Sequence, residues 1–181
     1  MNWLDVSEII DMYKLFYKRN YNGAISMWDT SNVTNMSYMF DESAFNNDIS
    51  QWTTTNVREM KYTFANSVFT GDISQWDVSN VTHMAGMFYN SIFNGDISGW
   101  NVSNVTNMNF MFTKSQFNQD ISGWDVHNVR RMIFTFEKSQ FNQDISGWDV
   151  TNVSNYAQIF NDTYIPDQYK PTKFRTHLIY E

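Results

Sequence analysis

Tryptophan recurs at a fixed interval along this chain. Trp3, Trp28, Trp52, Trp76, Trp100, Trp124 and Trp148 are separated by 25 residues once and by 24 residues five times, and tryptophan occurs nowhere else. The phrase FNQDISGWDV is spelled out twice at the same interval, from Phe117 and again from Phe141. Self-similarity at a period in the twenties means units too small to bury their own apolar face, each of which must stack on its neighbours. The expectation is one repeat solenoid over residues 1–164, of about seven units with a degenerate first unit as N-terminal cap. Residues 165–181, where the pattern has lapsed, would form a C-terminal capping tail.

Phenylalanine stands twelve residues after the tryptophan in six copies (Phe40, Phe64, Phe88, Phe112, Phe136 and Phe160), and Phe16 fills the slot in the first copy if Leu4 is counted as an insertion. Val33, Met36 and Phe40 fall at i, i+3 and i+7, one face of a helix, with Ser31 placed to cap it. The remaining D-I-S-x-W-D-V reads as a short strand, in which Trp76 and Val78 point one way and Gln75, Asp77 and Ser79 the other. The second set is polar in nearly every copy, so the tryptophans belong inside. Turning them outward would put aspartates in the core, where unpaired charge costs several kcal/mol. Burying one indole contributes roughly 4–6 kcal/mol gross as an upper bound. Strand, turn, helix and return predict an α/β solenoid, with a parallel sheet on one face and short helices on the other.

Composition narrows the function classes. A formal charge of −7 argues against nucleic acid or an anionic membrane as the main partner. The absence of cysteine excludes thiol chemistry and a disulfide framework. No apolar run approaches a membrane span, and the first residues lack the basic-then-apolar order of a secretory leader. A chain complete as written would be cytoplasmic or virion-associated; one that had lost a leader would belong at a cell surface.

The segment I-S-x-W-D-V-S-N-V resembles the leucine-rich-repeat phrase, with Ile97, Trp100 and Val102 in the leucine places and the asparagine one place early. The fuller V-T-N-M-x-x-M-F-x-x-S-x-F-N-x-D-I-S-x-W, kept over about residues 3–164, resembles the BspA-like leucine-rich repeats. It is most similar to the repeat of mycoplasma and listeria surface lipoproteins, also met in phages and large DNA viruses. That resemblance implies a leucine-rich-repeat-like solenoid and adhesion or protein binding, and brings no catalytic residues. The chain departs from the lipoproteins in having no lipid-bearing cysteine.

Three columns of polar residues recur at the repeat interval. Asn32, Asn56, Asn80, Asn104, Asn128 and Asn152 are expected as a buried ladder bonded to the backbone of adjacent turns. Asp48, Asp72, Asp96, Asp120 and Asp144 read as turn caps. Of these, Asp72, Asp96 and Asp120 are weak calcium candidates, because no compact loop gathers several oxygens on one point. The third column lies on the outward face of the strand: Asp29, Thr53, Asp77, Asn101, Asp125 and Asp149, flanked by Gln75 and His127. It is the first candidate contact surface, suited to a basic protein partner. A second is the outer helix face, where Phe110 and Phe134 stand one repeat apart beside Arg131. The histidines occupy unrelated repeat positions and no nucleophile–base pair or phosphate loop occurs, so an enzyme is not expected, nor a cofactor. The expected function is a protein-binding module; the alternative is a structural protein that self-associates through its solenoid ends.

Overall fold

The computed structural model describes residues 3–175. Successive 24-residue coils stack on one another, and neighbours run parallel. They pair through a single residue each, in the series Asp11, Asn35, Glu59, His83, Asn107, Arg131 and Asn155. Among the described residues there is no sheet and no α-helix; the only helical turns are 3-10 turns at Asp167–Tyr169 and Thr172–Phe174. The expected α/β solenoid, with a parallel sheet on one face and helices on the other, is therefore not what this chain forms.

The helix fails for a reason visible in the backbone. In the segment around Phe88, the N–H groups of Met84, Gly86, Phe88 and Asn90 donate forward to the carbonyls of Asn107, Asn109, Met111 and Thr113 in the next coil, at 2.8–3.1 Å. A helix would spend those donors on its own preceding turn. Between them run tight turns, Met87 N–H to Met84 C=O and Ser91 N–H to Phe88 C=O. The third residue of each is left-handed, Gly86 at φ 64° and Asn90 at φ 49°, as a type II turn requires. Other coils place Tyr38, Tyr62, Phe110, Phe134 and Gln158 in the position of Gly86, all at positive φ. Such a residue costs about 1–2 kcal/mol. In all but Gln158, in the last coil, it persists because its own N–H is held by the next coil, as at Tyr38 to Lys61 C=O (2.8 Å).

The strand fails likewise. In D-I-S-x-W the tryptophan N–H closes a turn on the isoleucine carbonyl, as in Trp76 to Ile73 at 3.1 Å. The chain reverses instead of extending, and the link to the neighbouring coil passes to a side chain. Trp52, Trp76, Trp100, Trp124 and Trp148 each donate Nε1–H to the isoleucine carbonyl one coil back, at 3.0–3.1 Å.

The core is a set of aromatic ladders. Phe16, Phe40, Phe64, Phe88, Phe112, Phe136 and Phe160 stack with centroids 5.5–6.0 Å apart. Phe45, Phe69, Phe93, Phe117 and Phe141 form a second ladder at 6.3–6.5 Å, and each ring of it lies about 4.5 Å from its partner within the coil. Buried serines hold the second ladder in place; Ser67 and Ser91 Oγ accept the N–H of Phe69 and Phe93 at 3.1 Å.

Trp3 does not belong to the tryptophan ladder. The pairing of Asp11 with Asn35 keeps a constant register of 24, so Leu4 occupies the place of Trp28 and Trp3 that of exposed Met27. Trp3 is accordingly 88% exposed, and Leu4 is no insertion. At the other end, residues 165–175 lie over the last coil. Phe174 packs on Tyr156 and Phe160 (centroids 5.0 and 6.2 Å), and Lys173 Nζ donates to the carbonyls of Val150, Thr151 and Val153. The rest of the expected tail, residues 176–181, lies outside the described residues.

Glycine substitutions separate this backbone from a helix. Gln158→Gly relieves an exposed left-handed residue and is expected to raise stability by up to about 1 kcal/mol, whereas in a helix it would lower it by a similar amount. Gly86→Ala places a methyl 2.2 Å from the Tyr62 ring at positive φ, and is expected to cost about 1–3 kcal/mol. Urea unfolding of the two variants measures both.

Candidate functional site

From Asp48 onward each coil exposes a polar residue on either side of the Ile–Trp turn; in the coil of Trp28, Ala24 takes the first of these places. The residue after the tryptophan is Asp29, Thr53, Asp77, Asn101, Asp125 or Asp149, and all six are exposed. Except at Thr53, its side-chain oxygen accepts the N–H two residues on: Ser31, Ser79, Ser103, His127 and Thr151, at 3.0–3.2 Å. The aspartates thus have a building role that packing alone did not suggest. Asn101 does the same job without a charge, and the coil of Thr53 makes its turn without this bond, so the turn does not require a carboxylate. Constant register adds Asp5, which accepts the Ser7 N–H at 3.0 Å in the first coil. The off-register Trp3 hid it; the repeated D-x-S at Asp5, Asp29, Asp77 and Asp149-to-Thr151 was the signal that could have found it.

The other column, Asp48, Asp72, Asp96, Asp120 and Asp144, is also exposed, and each carboxylate accepts the N–H of the following serine at 2.8–2.9 Å. Among the described residues no three carboxylates or histidines converge as a metal site, and the calcium candidates Asp72, Asp96 and Asp120 are each engaged in their own turn. A shallow polar hollow of about 310 Å³ lies between two coils, lined by Asp120 and Asp144 with Ser122 and Ser146.

Electrostatically the two columns form one edge. None of the 12 lysines and arginines falls in an x-I-S-x-W-x-x-x segment, and among the described residues the one ion pair these aspartates make is Asp125 with His127 Nδ1, at 2.7 Å. Local donors hold the carboxyls below their usual range. For Asp29 and Asp77 the hydroxyls of Ser31 and Ser79 act first and their N–H groups second; for Asp72, Asp96 and Asp120 the serine N–H leads. Gln75 is exposed beside Asp77, with Nε2 donating to Ser74 Oγ at 3.3 Å. Glycine stands in the same place at Gly99, Gly123 and Gly147. A Cβ there would meet nothing within 4 Å, and their φ is not left-handed, so neither packing nor conformation calls for glycine.

The second candidate surface is corrected with the helices: Phe110 and Phe134 stand on successive left-handed turns, not on a helix face. Their rings stack at 5.3 Å and are half-buried, wedged between coils, while Arg131 at the bridging position is exposed. The asparagine column bonds as expected but lies near the surface. Asn32 to Asn152 donate Nδ2–H to the carbonyl 25 residues earlier, at 2.7–2.8 Å.

The same repeat defines a family. Residues 1–92, and again 66–170, match the family described as Mycoplasma protein of unknown function, DUF285. The chain is a DUF285 protein. No curated protein and no solved structure matches it, and the match to DUF285 leaves the finer assignment to BspA-like leucine-rich repeats without confirmation. In DUF285 terms the two overlapping matches fall on one continuous stack, with the acidic edge running through both.

Because the folded carboxyls titrate below the unfolded value of about 3.9, the stability they contribute is present above that value and is lost as pH falls through the lower folded values. Asp41 works the other way: burial raises its carboxyl above the usual range, so its share is lost as pH rises. The melting temperature is expected to be level between about pH 5 and 7 and to fall below about pH 4. Replacing Asp72, Asp96 and Asp120 together by asparagine keeps the turns and should flatten that acid limb; an unchanged limb in calorimetry would contradict the assignment.

Proposed function

We propose that this DUF285 chain is a non-enzymatic protein-binding module that recognises a basic partner through its acidic edge. The observation carrying this reading is that ten carboxylates line the edge, five on each side of the turn, although the turns do not require a carboxylate, as Asn101 demonstrates. No lysine or arginine is ion-paired to them among the described residues, and Arg175 acts only on Asp144. Single-sign charge beyond structural need favours encounter with an oppositely charged surface. Gly99, Gly123 and Gly147 add support, since bare backbone lets a partner approach closely where the fold has no use for glycine. The resemblance to BspA-like repeats, for which adhesion or protein binding has been suggested, adds analogy only. A second reading, assembly through the ends of the stack, has in its favour the apolar side chains left exposed on the first coil.

The test compares three variants in affinity capture from the source cell or its host, followed by titration of the purified partner. Asp77→Asn/Asp125→Asn keeps the turns and removes charge; Asp77→Lys/Asp125→Lys reverses it. Both are expected to weaken binding, the reversal by about tenfold or more, and Phe110→Ser/Phe134→Ser should leave it intact. A partner held equally by the charge-reversed variant would refute the acidic edge as the site.

A further inference from the structure

The two ends of the stack are built differently. At the N-terminal end, Ile9 and Leu15 stand 41% and 46% exposed, although their counterparts one coil on, Val33 and Met39, are fully buried. Together with Leu4, Val6, Met12 and Phe16 they line an apolar hollow of about 530 Å³. The face is a cross-section of the core, uncovered among the described residues. Its rim carries the carbonyls of Asp11, Tyr13, Leu15 and Tyr17, in the register that accepts a preceding coil elsewhere: Asn35, Ser37, Met39 and Asp41 take the N–H groups of Met12, Lys14, Phe16 and Lys18 at 2.9–3.1 Å.

The last coil offers the complement. Met132, Phe134, Phe136 and Lys138 donate to the carbonyls of Asn155, Ala157, Ile159 and Asn161. The same pattern leaves the N–H groups of Tyr156, Gln158, Phe160 and Asp162 directed away from the stack, with no acceptor among the described residues. Acceptors at one end and donors at the other, at equal two-residue spacing, match head to tail. Two N-terminal faces would set carbonyl against carbonyl.

Residues 165–175 stand in the way of that match. Phe174 meets the Phe160 ring edge-on, on the side where every internal junction stacks the next phenylalanine of the ladder. Lys173 Nζ donates to the Thr151 carbonyl; the equivalent carbonyls, of Ser103 and His127, take their bond from an asparagine of the following coil. The segment thus occupies at the C-terminal end the positions of one more coil.

We propose that the N-terminal face is a docking surface for the C-terminal coil of a second copy of this chain, and that residues 165–175 are a stop competing for the same position. A heterologous contact of this kind does not close on itself and grows as a filament, so the stop sets whether the chain is a monomer or a fibre. In this match Asp5 of one copy follows Asp149 of the other, so the acidic edge continues across the junction.

The test uses the full chain with its cap loosened, Lys173→Glu/Phe174→Ala, in sedimentation velocity over a concentration series. Circular dichroism and tryptophan fluorescence verify that the stack is intact. The wild type is expected to remain monomeric and the loosened variant to form oligomers that lengthen with concentration. Leu15→Asp in the loosened background should restore the monomer. Register is read by disulfides, since the chain has no cysteine. Parallel neighbours at about 4.8 Å suit a disulfide, and a ladder that sets Phe16 after Phe160 sets Lys14 after Gln158. A Lys14→Cys copy mixed with a Gln158→Cys copy, both in the loosened background, should therefore crosslink as a mixed pair. A loosened variant that stays monomeric, oligomers that persist with Leu15→Asp, or crosslinks formed only between two Lys14→Cys copies would each overturn the proposal.

Discussion

Backbone N–H groups that donate from each coil to the next hold this chain together, and the other features answer to them. Phe88 to Met111 and Phe112 to Thr135 are bonds of one kind, repeated at a fixed offset. A single added residue would break the offset and rotate every buried ring in that coil out of its ladder. The bonds also require that alternate residues face their amides along the stack, which forces left-handed conformations on residues as bulky as Tyr38, Tyr62 and Phe134. The aromatic ladders offset that strain: rings 5.5–6.5 Å apart are buried on both sides by their own copies.

The same constraint explains where chemistry can vary. Inside, a change meets its own image in the neighbouring coil. Outside, the turn after each tryptophan does not require a carboxylate: aspartate and asparagine both accept its N–H, and at Thr53 the turn forms without that bond. Charge on that edge is therefore a free choice of the sequence, which is why it bears on function. The ends are the other place where repetition does not dictate the residue. One carries a substitute coil built from Lys173 and Phe174; the other leaves the cross-section of the core uncovered among the described residues.

Parts of this were legible in the sequence. Trp76 and Val78 inward with Asp77 outward follow from alternation over three residues, which holds in a turn as well as in a strand. The helix pattern is mimicked because Val33, closing the turn from Thr30, and Met36 and Phe40, opening two consecutive type II turns, bury at i, i+3 and i+7 much as they would in a helix. The decisive signal, positive φ at Tyr38 and Glu42, leaves no compositional mark on such residues; it shows only where glycine or asparagine stands, as at Gly86, Asn66 and Asn90. Trp3 misled through identity alone, since an unpaired tryptophan one place out of register looks like a copy with an insertion. The acidic columns were visible, but their turn bonds were assigned to one and not the other, because the third-column residues were placed on a strand face.

The central claim is that the segment around Phe88 bonds forward to the next coil and not back along a helix. NMR couplings transmitted across hydrogen bonds, from the amide nitrogen of Phe88 to its acceptor carbonyl carbon, identify that acceptor directly. The structure predicts coupling to the Met111 carbonyl, at a hydrogen-bond length of 3.0 Å, with the equivalent pairs Phe64–Met87 and Phe112–Thr135 behaving alike. Coupling from Phe88 to the Met84 carbonyl would mean a helix after all and would contradict the account.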